Sequence, residues 1–355
     1  MAERVLICGG AGFIGSSLAL GLKAYHSDWQ IVCLDNLKRR GSELNLSRLR
    51  EAGIDFVHGD IRCSSDLAPD AFDVTTIIDC SAEPSVLAGF SSPDYVLQTN
   101  LVGTINILEL ARQRQAKLLF LSTSRVYPIE KLKAIKLLEA DTRYKIATEQ
   151  TLTGFSSLGI SEKFSLEGYR SLYGTTKLAS EMLIEEYRHA YDLKAVVNRC
   201  GVVTGPWQMG KVDQGVFVLW VAAHYFEKSL KYLGYGGSGK QVRDLLHVQD
   251  LLKLVEYQVT HFNTLDGDIL NVGGGSACSL SLLETTELCR VVTGKTINIT
   301  PVPEERPGDI PLFIMDSSLI QDKIGWSPEH NPETIISDIY QWLVENELML
   351  KSILA

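Results

Sequence analysis

A tyrosine and a lysine stand four residues apart in this chain, at Tyr173 and Lys177, in a stretch whose pattern is typical of a helix. Residues four apart share one face of a helix, so the phenol and the ammonium can point into one pocket. A nearby ammonium lowers the pKa of a phenol, which makes the phenol a better base near neutral pH. The pair predicts proton transfer to or from a substrate. The same spacing also occurs by chance on ordinary helices, so its meaning depends on the rest of the chain.

A glycine-rich turn near residue 10 offers a partner for that chemistry. An apolar run at residues 5–8 leads into three glycines spaced three apart, Gly9, Gly12 and Gly15. A strand, a glycine turn and a helix in this order let the backbone approach a pyrophosphate and present a helix N-terminus to it. We expect Gly9 to allow the turn, Gly12 the approach of phosphate, and Gly15 the packing of helix on strand. The pattern predicts a bound dinucleotide.

A second predicted strand, at 29–34, ends in Asp35 and Asn36. A carboxylate about 20 residues after the glycines can accept hydrogen bonds from the adenosine ribose hydroxyls, and it would repel the extra phosphate of NADP. Asp35 therefore favours NAD. A basic run follows at 38–40, and for this run a 2′-phosphate site and a solvated loop both stay open.

The elements that must position these groups alternate between strand and helix. Further strands are predicted at residues 54–58, 74–79, 116–121 and 194–199. This order is typical of parallel βαβ units, whose ligands bind at the carboxyl ends of the strands. Asp60, Ser81 and Thr123 each follow one of those ends, and Asn100 lies near the start of a predicted helix at 96–112.

The alternation stops after residue 199, and this change divides the chain. We predict an α/β fold with a doubly wound parallel sheet of Rossmann type, and a smaller, partly interleaved C-terminal substrate domain. Residues 1–200 plus 247–275 are assigned to the first and residues 201–246 plus 276–355 to the second. The polar segment at 130–172 is too long for an ordinary loop, so we expect it to cover a site, with disorder as the alternative.

Two arginines are candidate anion ligands in the second region. Arg243 is permanently charged and can make bidentate contacts to a diphosphate, although a salt bridge with its neighbour Asp244 is favoured by sequence alone. For Arg306, an anion ligand and a solvated loop charge are equally consistent. His247 has no second ligand at metal spacing, so we expect it to mark the start of a helix, and no metal site is predicted.

The composition of the 355 residues limits the functional classes. With 45% hydrophobic residues the chain can bury a large core, and a formal net charge of −9 argues against a nucleic-acid-binding surface. Seven cysteines without a CxxC pair fit reduced thiols. No apolar run approaches the roughly 20 residues of a membrane span, and no signal peptide precedes the glycine turn. We therefore expect a cytoplasmic protein without nucleic-acid or membrane partners.

Together the motifs resemble the extended short-chain dehydrogenase/reductases, the family of NAD-dependent sugar-nucleotide epimerases and dehydratases. The resemblance covers essentially the whole chain, and the order and spacing of its motifs are highly specific. These motifs are the glycine turn, Asp35-Asn36, Gly59-Asp60-Ile61, Asn100-x-x-Gly103-Thr104, Thr123 four before Tyr127, Tyr173-x-x-x-Lys177, Arg243-Asp244-x-x-His247-Val248-x-Asp250 and Arg306-Pro307-Gly308-Asp309.

The resemblance implies roles for the matched residues. Tyr173 as tyrosinate would take a proton from a sugar hydroxyl while hydride passes to the nicotinamide. Lys177 would lower the pKa of that tyrosine and hold the nicotinamide ribose, and Thr123 would hydrogen-bond the reacting oxygen. Arg243 and Arg306 would hold the diphosphate of a nucleotide sugar. The implied NAD-binding residues are Gly9, Gly12, Phe13, Ile14, Gly15, Asp35, Asn36, Asp60, Ile61, Ser81, Asn100, Tyr173 and Lys177.

Within the family, several stretches are most similar to the 2-epimerases of CDP-hexoses of the CDP-paratose and CDP-tyvelose type. These stretches are Asp35-Asn36-Leu37, the segment after Thr142-Arg143-Tyr144, Asp213-Gln214-Gly215 and residues 239–244. The likeness implies oxidation at C2, and it makes Gln214 a substrate-binding candidate. Val202 and Thr204 stand where the wider family commonly has asparagine and tyrosine, at positions where family members touch substrate.

Other functions stay open on the sequence. A 4,6-dehydratase needs an acidic pair beside the catalytic hydroxyl, whereas Thr123 is followed by Ser124 and Arg125, which argues against dehydration. A 4-epimerase of a UDP-sugar or another nucleotide sugar stays open, and so does an NAD-binding sensor or scaffold without catalysis. The apolar faces of helices 100–112 and 173–191, through which the family usually pairs, predict a homodimer or a higher homo-oligomer.

Overall fold

The computed structural model describes residues 2–150, 152–211 and 214–354. The chain forms two compact units. The first comprises Met1–Val126, Leu172–Arg199 and Leu252–Leu270, and the second comprises Tyr127–Ser171, Cys200–Leu251 and Asn271–Ala355. The predicted assignment of NAD to residues 1–200 plus 247–275, and of the sugar nucleotide to the remainder, stays a prediction.

Strands and helices are numbered here in chain order. The strands are β1 (Arg4–Cys8), β2 (Gln30–Asp35), β3 (Asp55–His58), β4 (Thr76–Asp79), β5 (Lys117–Thr123), β6 (Leu137–Glu139), β7 (Tyr144–Ile146), β8 (Phe155–Ser156), β9 (Gly159–Ile160), β10 (Ala195–Cys200), β11 (Val202–Thr204), β12 (Leu230–Leu233), β13 (Val242–His247), β14 (Ile269–Val272), β15 (Ser279–Ser281), β16 (Ile299–Val302) and β17 (Leu312–Phe313). The helices are α1 (Phe13–Tyr25), α2 (Asn45–Glu51), α3 (Ala88–Ser91), α4 (Pro93–Leu97), α5 (Gly103–Arg114), α6 (Ile129–Lys133), α7 (Leu172–Tyr191), α8 (Val216–Tyr225), α9 (Val248–Thr260), α10 (Phe262–Leu265), α11 (Leu282–Thr293), α12 (Ser318–Ile324), α13 (Pro332–Glu345) and α14 (Glu347–Leu354).

The central sheet has the strand order β3-β2-β1-β4-β5-β10-β14. The chain reverses its direction of travel across the sheet between β1 and β4, which is where open α/β sheets bind ligands at the carboxyl ends of their strands. Cys8 of β1 lies beside Leu34 of β2 and Asp79 of β4, and Asp79 lies beside Phe120 of β5. The predicted α/β class with a parallel Rossmann-type sheet is confirmed.

Most strands of the sheet are buried on both faces, so their sequences are largely apolar, whereas the edge strand β3 is mostly exposed. Side chains such as Leu6, Ile77, Leu118 and Val197 join one core cluster. Helix α7 packs on this core, and the residues of its buried face are unusual for a packing surface. Its buried residues follow a three- and four-residue spacing but are mostly polar: Tyr173, Gly174, Thr176, Lys177, Ser180, Glu181 and Ile184. Buried polar side chains at helical spacing point to a site rather than to packing alone.

The second unit contains smaller sheets. Strand β13 pairs with β11 and β17 in parallel and with β15 antiparallel, and β12 pairs with β16. The segment at 130–172, for which disorder was the alternative, carries α6 and the hairpins β6–β7 and β8–β9. Parts of this segment, at 143–148, 150 and 155–157, line a cavity of about 480 Å³ together with residues of the same unit. That this segment covers a substrate stays a prediction.

None of the helices in the described ranges is both long enough and apolar enough to span a membrane.

Candidate active site

The glycine turn after β1 adopts the geometry that its sequence requires. Gly9 has a φ of +72°, a conformation that glycine adopts without penalty, and its N–H donates to the Leu34 carbonyl at 2.9 Å. A β-carbon at Gly15 would clash with the Gly9 carbonyl and would lie 2.8 Å from the Gly10 Cα, so only glycine lets α1 pack this closely. A β-carbon at Gly12 would meet only the Gly9 carbonyl oxygen, at 3.2 Å.

The start of α1 fits a bound pyrophosphate. Gly12 is the capping residue of α1, and no side chain caps the helix in the described part of the chain. The first N–H groups of a helix, here those of Phe13, Ile14 and Gly15, have no acceptor within the helix itself. They can donate to phosphate oxygens, and the helix dipole favours the negative charge. The residues present therefore fit the diphosphate of a dinucleotide.

Asp35 accepts hydrogen bonds from backbone N–H groups of the same turn and of the residues after β2. Its Oδ2 accepts the Ala11 N–H at 3.1 Å and its Oδ1 accepts the Leu37 N–H at 2.8 Å. Burial raises the pKa of Asp35, while the N–H donors of Leu37 and Ala11 oppose that rise. Each carboxylate oxygen has a second lone pair, so a ribose hydroxyl can still donate to it. Asp35 is placed for the predicted role while already holding the glycine turn.

Asn36, Asp60 and Ile61 lie beyond the ends of β2 and β3. The Asn36 amide donates to Asp60 Oδ2 at 2.9 Å, and Arg62 donates to the same oxygen at 2.6 Å. Hydrogen bonds from Arg62 lower the pKa of Asp60. Ile61 is buried, and its carbonyl accepts the Asn106 side-chain amide at 2.8 Å. The structure brings Asn36 and Asp60 into contact and ties Ile61 to α5.

Ser81 and Asn100 fix the segment after β4. Ser81 donates its N–H and its hydroxyl to Asp79 Oδ1, at 2.9 and 2.5 Å. Asn100 lies in a π-helical turn, Gln98–Val102, and its side chain binds the N–H and the carbonyl of Glu83 at 2.7 and 3.0 Å. Its amide also donates to Thr176 Oγ1 at 3.3 Å, which links this segment to α7.

The three predicted catalytic residues all lie in the first unit and are all buried. Tyr173 and Thr123 are each 7% exposed and Lys177 is 2% exposed. The Lys177 ammonium lies 4.2 Å from the centroid of the Phe120 ring in β5. Thr123 Oγ1 accepts the N–H of Arg125 at 3.2 Å, so its own hydroxyl proton can be donated elsewhere.

Gly174 lets helix α7 approach the end of β5. A β-carbon there would clash with the carbonyl oxygen of Arg125, two residues after Thr123, and would lie 2.8 Å from its carbon. The first turn of α7, which carries Tyr173, is therefore packed directly against the residues that follow Thr123. This contact fixes the tyrosine and the threonine relative to each other.

Sequence reasoning missed a buried ion pair beside these residues. Arg199 Nη2 of β10 lies 2.7 Å from Glu181 Oε2, and Ser122 donates to the other Glu181 oxygen at 2.5 Å. The two charged side chains are 4% and 2% exposed. A signal was present, because Glu181 follows Lys177 by four residues and so shares its helix face, and Arg199 is a charged residue in a strand whose other residues, apart from Asn198, are apolar.

The second unit brings the two candidate diphosphate arginines together at Asp309. Arg243 Nη2 lies 3.1 Å from Asp309 Oδ1, and Arg306 Nη2 lies 3.6 Å from Asp309 Oδ2. Burial lowers the pKa of Arg243, and Asp309 opposes that effect. The prediction of a salt bridge between Arg243 and Asp244 is wrong. Neighbouring residues of a strand point to opposite faces, and Asp244 instead accepts the Gly275 N–H at 3.2 Å.

Gln214 lies in a separate turn. Its backbone exchanges two hydrogen bonds with Lys211, at 2.7 and 3.0 Å, just before Gly215 begins α8. Asp213, the first residue of the motif to which Gln214 belongs, lies outside the described residues. Binding of substrate by Gln214 stays a prediction.

His247 is the last residue of β13 and directly precedes helix α9, the helix start that its sequence context predicted. Its Nδ1 accepts the Gln249 N–H at 3.1 Å, and burial lowers the pKa of His247 to about 4. The side-chain atoms of His247, His330 and Asp338 lie within 4.8 Å of one another. Because Nδ1 is an acceptor, the neutral ring carries its proton on Nε2, which faces Asp338 at 3.6 Å as a donor rather than as a metal ligand.

Known proteins resemble this chain over nearly its whole length. Its sequence matches the NAD dependent epimerase/dehydratase family over residues 5–273. It is 30% identical over 352 residues to CDP-paratose 2-epimerase of Salmonella typhi, covering 96% of this chain and 98% of that protein. It is 27% identical over 373 residues to dTDP-glucose 4,6-dehydratase of Escherichia coli, covering 97% and 94% respectively. The structure of UDP-glucose 4-epimerase from Thermus thermophilus, a complex with NAD, superposes with a TM-score of 0.75 at 25% identity, covering 96% of this chain and 99% of that one.

These similarities extend through both units, and the family match over residues 5–273 spans the motifs from the glycine turn to Asp250. The glycine turn and the uncapped start of α1 also fit the cofactor that the family uses. The chain is therefore an enzyme of the NAD dependent epimerase/dehydratase family.

Proposed function

We propose that this enzyme is a nucleotide-sugar epimerase that inverts C2 of a CDP-hexose by transient oxidation and hydride return. The observation that carries the proposal is the buried constellation of Tyr173 and Lys177 on α7 with Thr123 at the end of β5. The choice of C2 and of a CDP-hexose is supported by the 30% identity to a CDP-paratose 2-epimerase.

Three residues have separate roles in the proposed reaction. NAD, when bound, supplies the acceptor and donor of hydride. Tyr173 Oη takes the proton of the sugar hydroxyl as the carbon is oxidised, and it returns that proton when the ketone is reduced on its other face. The Lys177 ammonium lowers the pKa of the phenol, and Thr123 donates a hydrogen bond to the reacting oxygen. The burial of all three excludes water, which strengthens these electrostatic effects.

The two arginines are the proposed diphosphate ligands in the second unit. The Arg306 side chain is 37% exposed, and its guanidinium lies 3.6 Å from the Asp309 carboxylate. Arg243 is buried and anchored by Asp309 and by the carbonyls of Ile310 and Val242, at 2.7 and 2.8 Å. A fixed guanidinium beside a more exposed one suits the binding of a diphosphate. Gln214 is proposed to contact the same substrate.

A 4-epimerase of a UDP-sugar is the second candidate. The similarity to the UDP-glucose 4-epimerase of Thermus thermophilus favours it, because the same catalytic trio can oxidise either carbon. Dehydration is disfavoured because Ser124 and Arg125 stand where a dehydratase needs an acidic pair. A sensor or scaffold without catalysis is disfavoured because both Tyr173 and Lys177 are present.

A panel of CDP-, UDP-, GDP- and dTDP-hexoses, incubated with the enzyme and NAD and followed by NMR, tests the proposal. We expect inversion at C2 of a CDP-hexose. Inversion at C4 would select the second candidate, loss of water would indicate a dehydratase, and an unchanged panel would favour a sensor or scaffold.

We also propose a homodimer in the cytoplasm. Leu97, Ile105 and Met182 are 39%, 36% and 62% exposed on α4, α5 and α7, which leaves an apolar surface on the first unit. All seven cysteines are free thiols, as in a reducing compartment. Light scattering at micromolar concentration should give the mass of a dimer or a larger assembly, and Met182→Glu should shift it toward the monomer. A monomeric wild type would contradict the proposal.

A further inference from the structure

A buried carboxylate, Asp79, lies at the carboxyl end of β4. The residue is fully buried, and only one of its oxygens is satisfied by hydrogen bonds, both from Ser81. The other oxygen, Oδ2, has no hydrogen-bond partner in the described part of the chain. Burying a carboxylate oxygen without a partner is unfavourable unless a positive charge compensates it. The ionised form of Asp79 therefore needs a counter-charge.

Lys177 supplies that charge. Asp79 and Phe120 are register partners in neighbouring parallel strands, so their side chains lie on the same face of the sheet. The Lys177 ammonium lies over the Phe120 ring, and it is shielded from water like Asp79. Carboxylate and ammonium thus share one dry region between β4, β5 and α7, where charges interact more strongly than in water.

Among the described residues, the two register partners of Asp79 in the neighbouring strands do not provide such a charge. The β1 neighbour Cys8 is a buried thiol whose pKa is raised, first by burial and then by Asp79 itself. The β5 neighbour Phe120 does not titrate. Burial raises the pKa of Asp79, and the charge of Lys177 is the main influence that opposes this rise. The interaction is reciprocal, so the carboxylate stabilises the ammonium by the same free energy.

We propose that Asp79 is a positioning residue of the candidate active site, whose carboxylate keeps the buried Lys177 ammonium charged one helical turn from Tyr173. This role rests on the proposed function of Tyr173 and Lys177. Without the carboxylate, burial favours the neutral amine. A neutral Lys177 no longer lowers the pKa of Tyr173, so the phenolate forms only at higher pH. Asp79 also links this pair to the cofactor turn, because its other oxygen holds Ser81 beside Gly9.

An ultraviolet difference titration of Tyr173 tests this role directly. The ultraviolet absorbance of the full-length protein saturated with NAD is followed as pH rises, and the same titration is run on the Tyr173→Phe variant. The difference between the two curves gives the ionisation of Tyr173 apart from the other tyrosines. Asp79→Asn keeps the size of the side chain and an acceptor for Ser81 but removes the charge. We expect it to raise the pKa of Tyr173 by about one unit or more. Asp250→Asn makes the same change at another buried carboxyl, which binds His330, and should leave the titration unmoved.

A Tyr173 titration that is unchanged or moves to lower pH in Asp79→Asn overturns the proposal. A merely structural role would lower the stability without moving the titration. Asp79→Ser, a smaller substitution with the same expected shift, keeps the test available if Asp79→Asn does not fold. The titration contains no sugar, so it is independent of turnover. A shifted titration in a protein that acts on no nucleotide sugar would count against the proposed function alone.

Discussion

Adding one methyl group at Gly174 should separate Tyr173, the proposed catalytic base, from the end of β5. Gly174 lies between Tyr173 and the exposed Thr175, and its Cα faces the carbonyl of Arg125. An alanine β-carbon would lie 2.8 Å from that carbonyl carbon and closer still to the oxygen. Neither neighbour is a flexible side chain, so the helix or the strand end must move.

The size of the movement sets the expected loss. Carbon atoms pack at about 3.5 Å or more, so α7 and residue 125 must separate by at least about 0.7 Å. A misplacement of about 1 Å can reduce a catalytic rate about 100-fold. We expect kcat of Gly174→Ala to fall on the order of 30- to 100-fold, equivalent to about 2–2.7 kcal/mol. Helix propensity acts in the opposite direction and favours alanine over glycine by about 1 kcal/mol.

The assay compares kcat and the urea unfolding of Gly174→Ala with those of Thr175→Ala, which adds helix propensity on the same turn without a clash. Thr175 is exposed, so its variant should keep the wild-type kcat. NAD binding by both variants should resemble that of the wild type, because the glycine turn is unchanged. A Gly174→Ala enzyme as active as Thr175→Ala would refute the reasoning that this contact positions Tyr173.

Three further perturbations probe the chain. Tyr173→Phe should abolish turnover while NAD still binds by fluorescence titration, and undiminished activity would remove Tyr173 as the base. Arg199→Met leaves Glu181 charged and buried, so the free energy of unfolding in urea should fall by about 3–5 kcal/mol, and adding Glu181→Leu should recover most of it; an equal loss in the double variant would contradict the pairing. Burial raises the pKa of Asp244 to about 6, whereas the unfolded carboxyl releases its proton at about pH 4. Stability is therefore lost as pH rises from about 4 through 6, by about 2–3 kcal/mol. In Asp244→Asn, the free energy of unfolding in urea should no longer show this decrease between pH 4 and 6. An equal decrease in the variant and the wild type would contradict the role of Asp244.

The sheet and the cofactor turn were predictable because short-range rules specify them. Apolar strands alternate with helices over the first 200 residues, and the structure shows a local reason for Gly9 and for Gly15 in the turn. The helix expected at 96–112 is less regular, because it contains the π-helical turn in which Asn100 lies. No periodicity indicates that turn, which depends on the contacts of Asn100 with Glu83 and Thr176.

The partners of buried charges could not be predicted from local patterns. Arg243 was expected to pair with its neighbour, but strand alternation separates the two, and pairing of β13 with β17 brings Asp309 within reach from 66 residues away. In the sequence, Asp79 is the last residue of the strand predicted at 74–79. Its importance depends on the register of β4 with β5 and on the position of Lys177, which only the folded sheet determines.

The central claim is that one sugar carbon loses and regains the same hydride. A CDP-hexose deuterated at C2 tests it most directly, with the product examined by NMR and mass spectrometry. We predict an inverted C2 that retains its deuterium, because the hydride returns to the carbon it left without exchanging with water. Deuterium lost to solvent, or inversion at another carbon, would contradict the account.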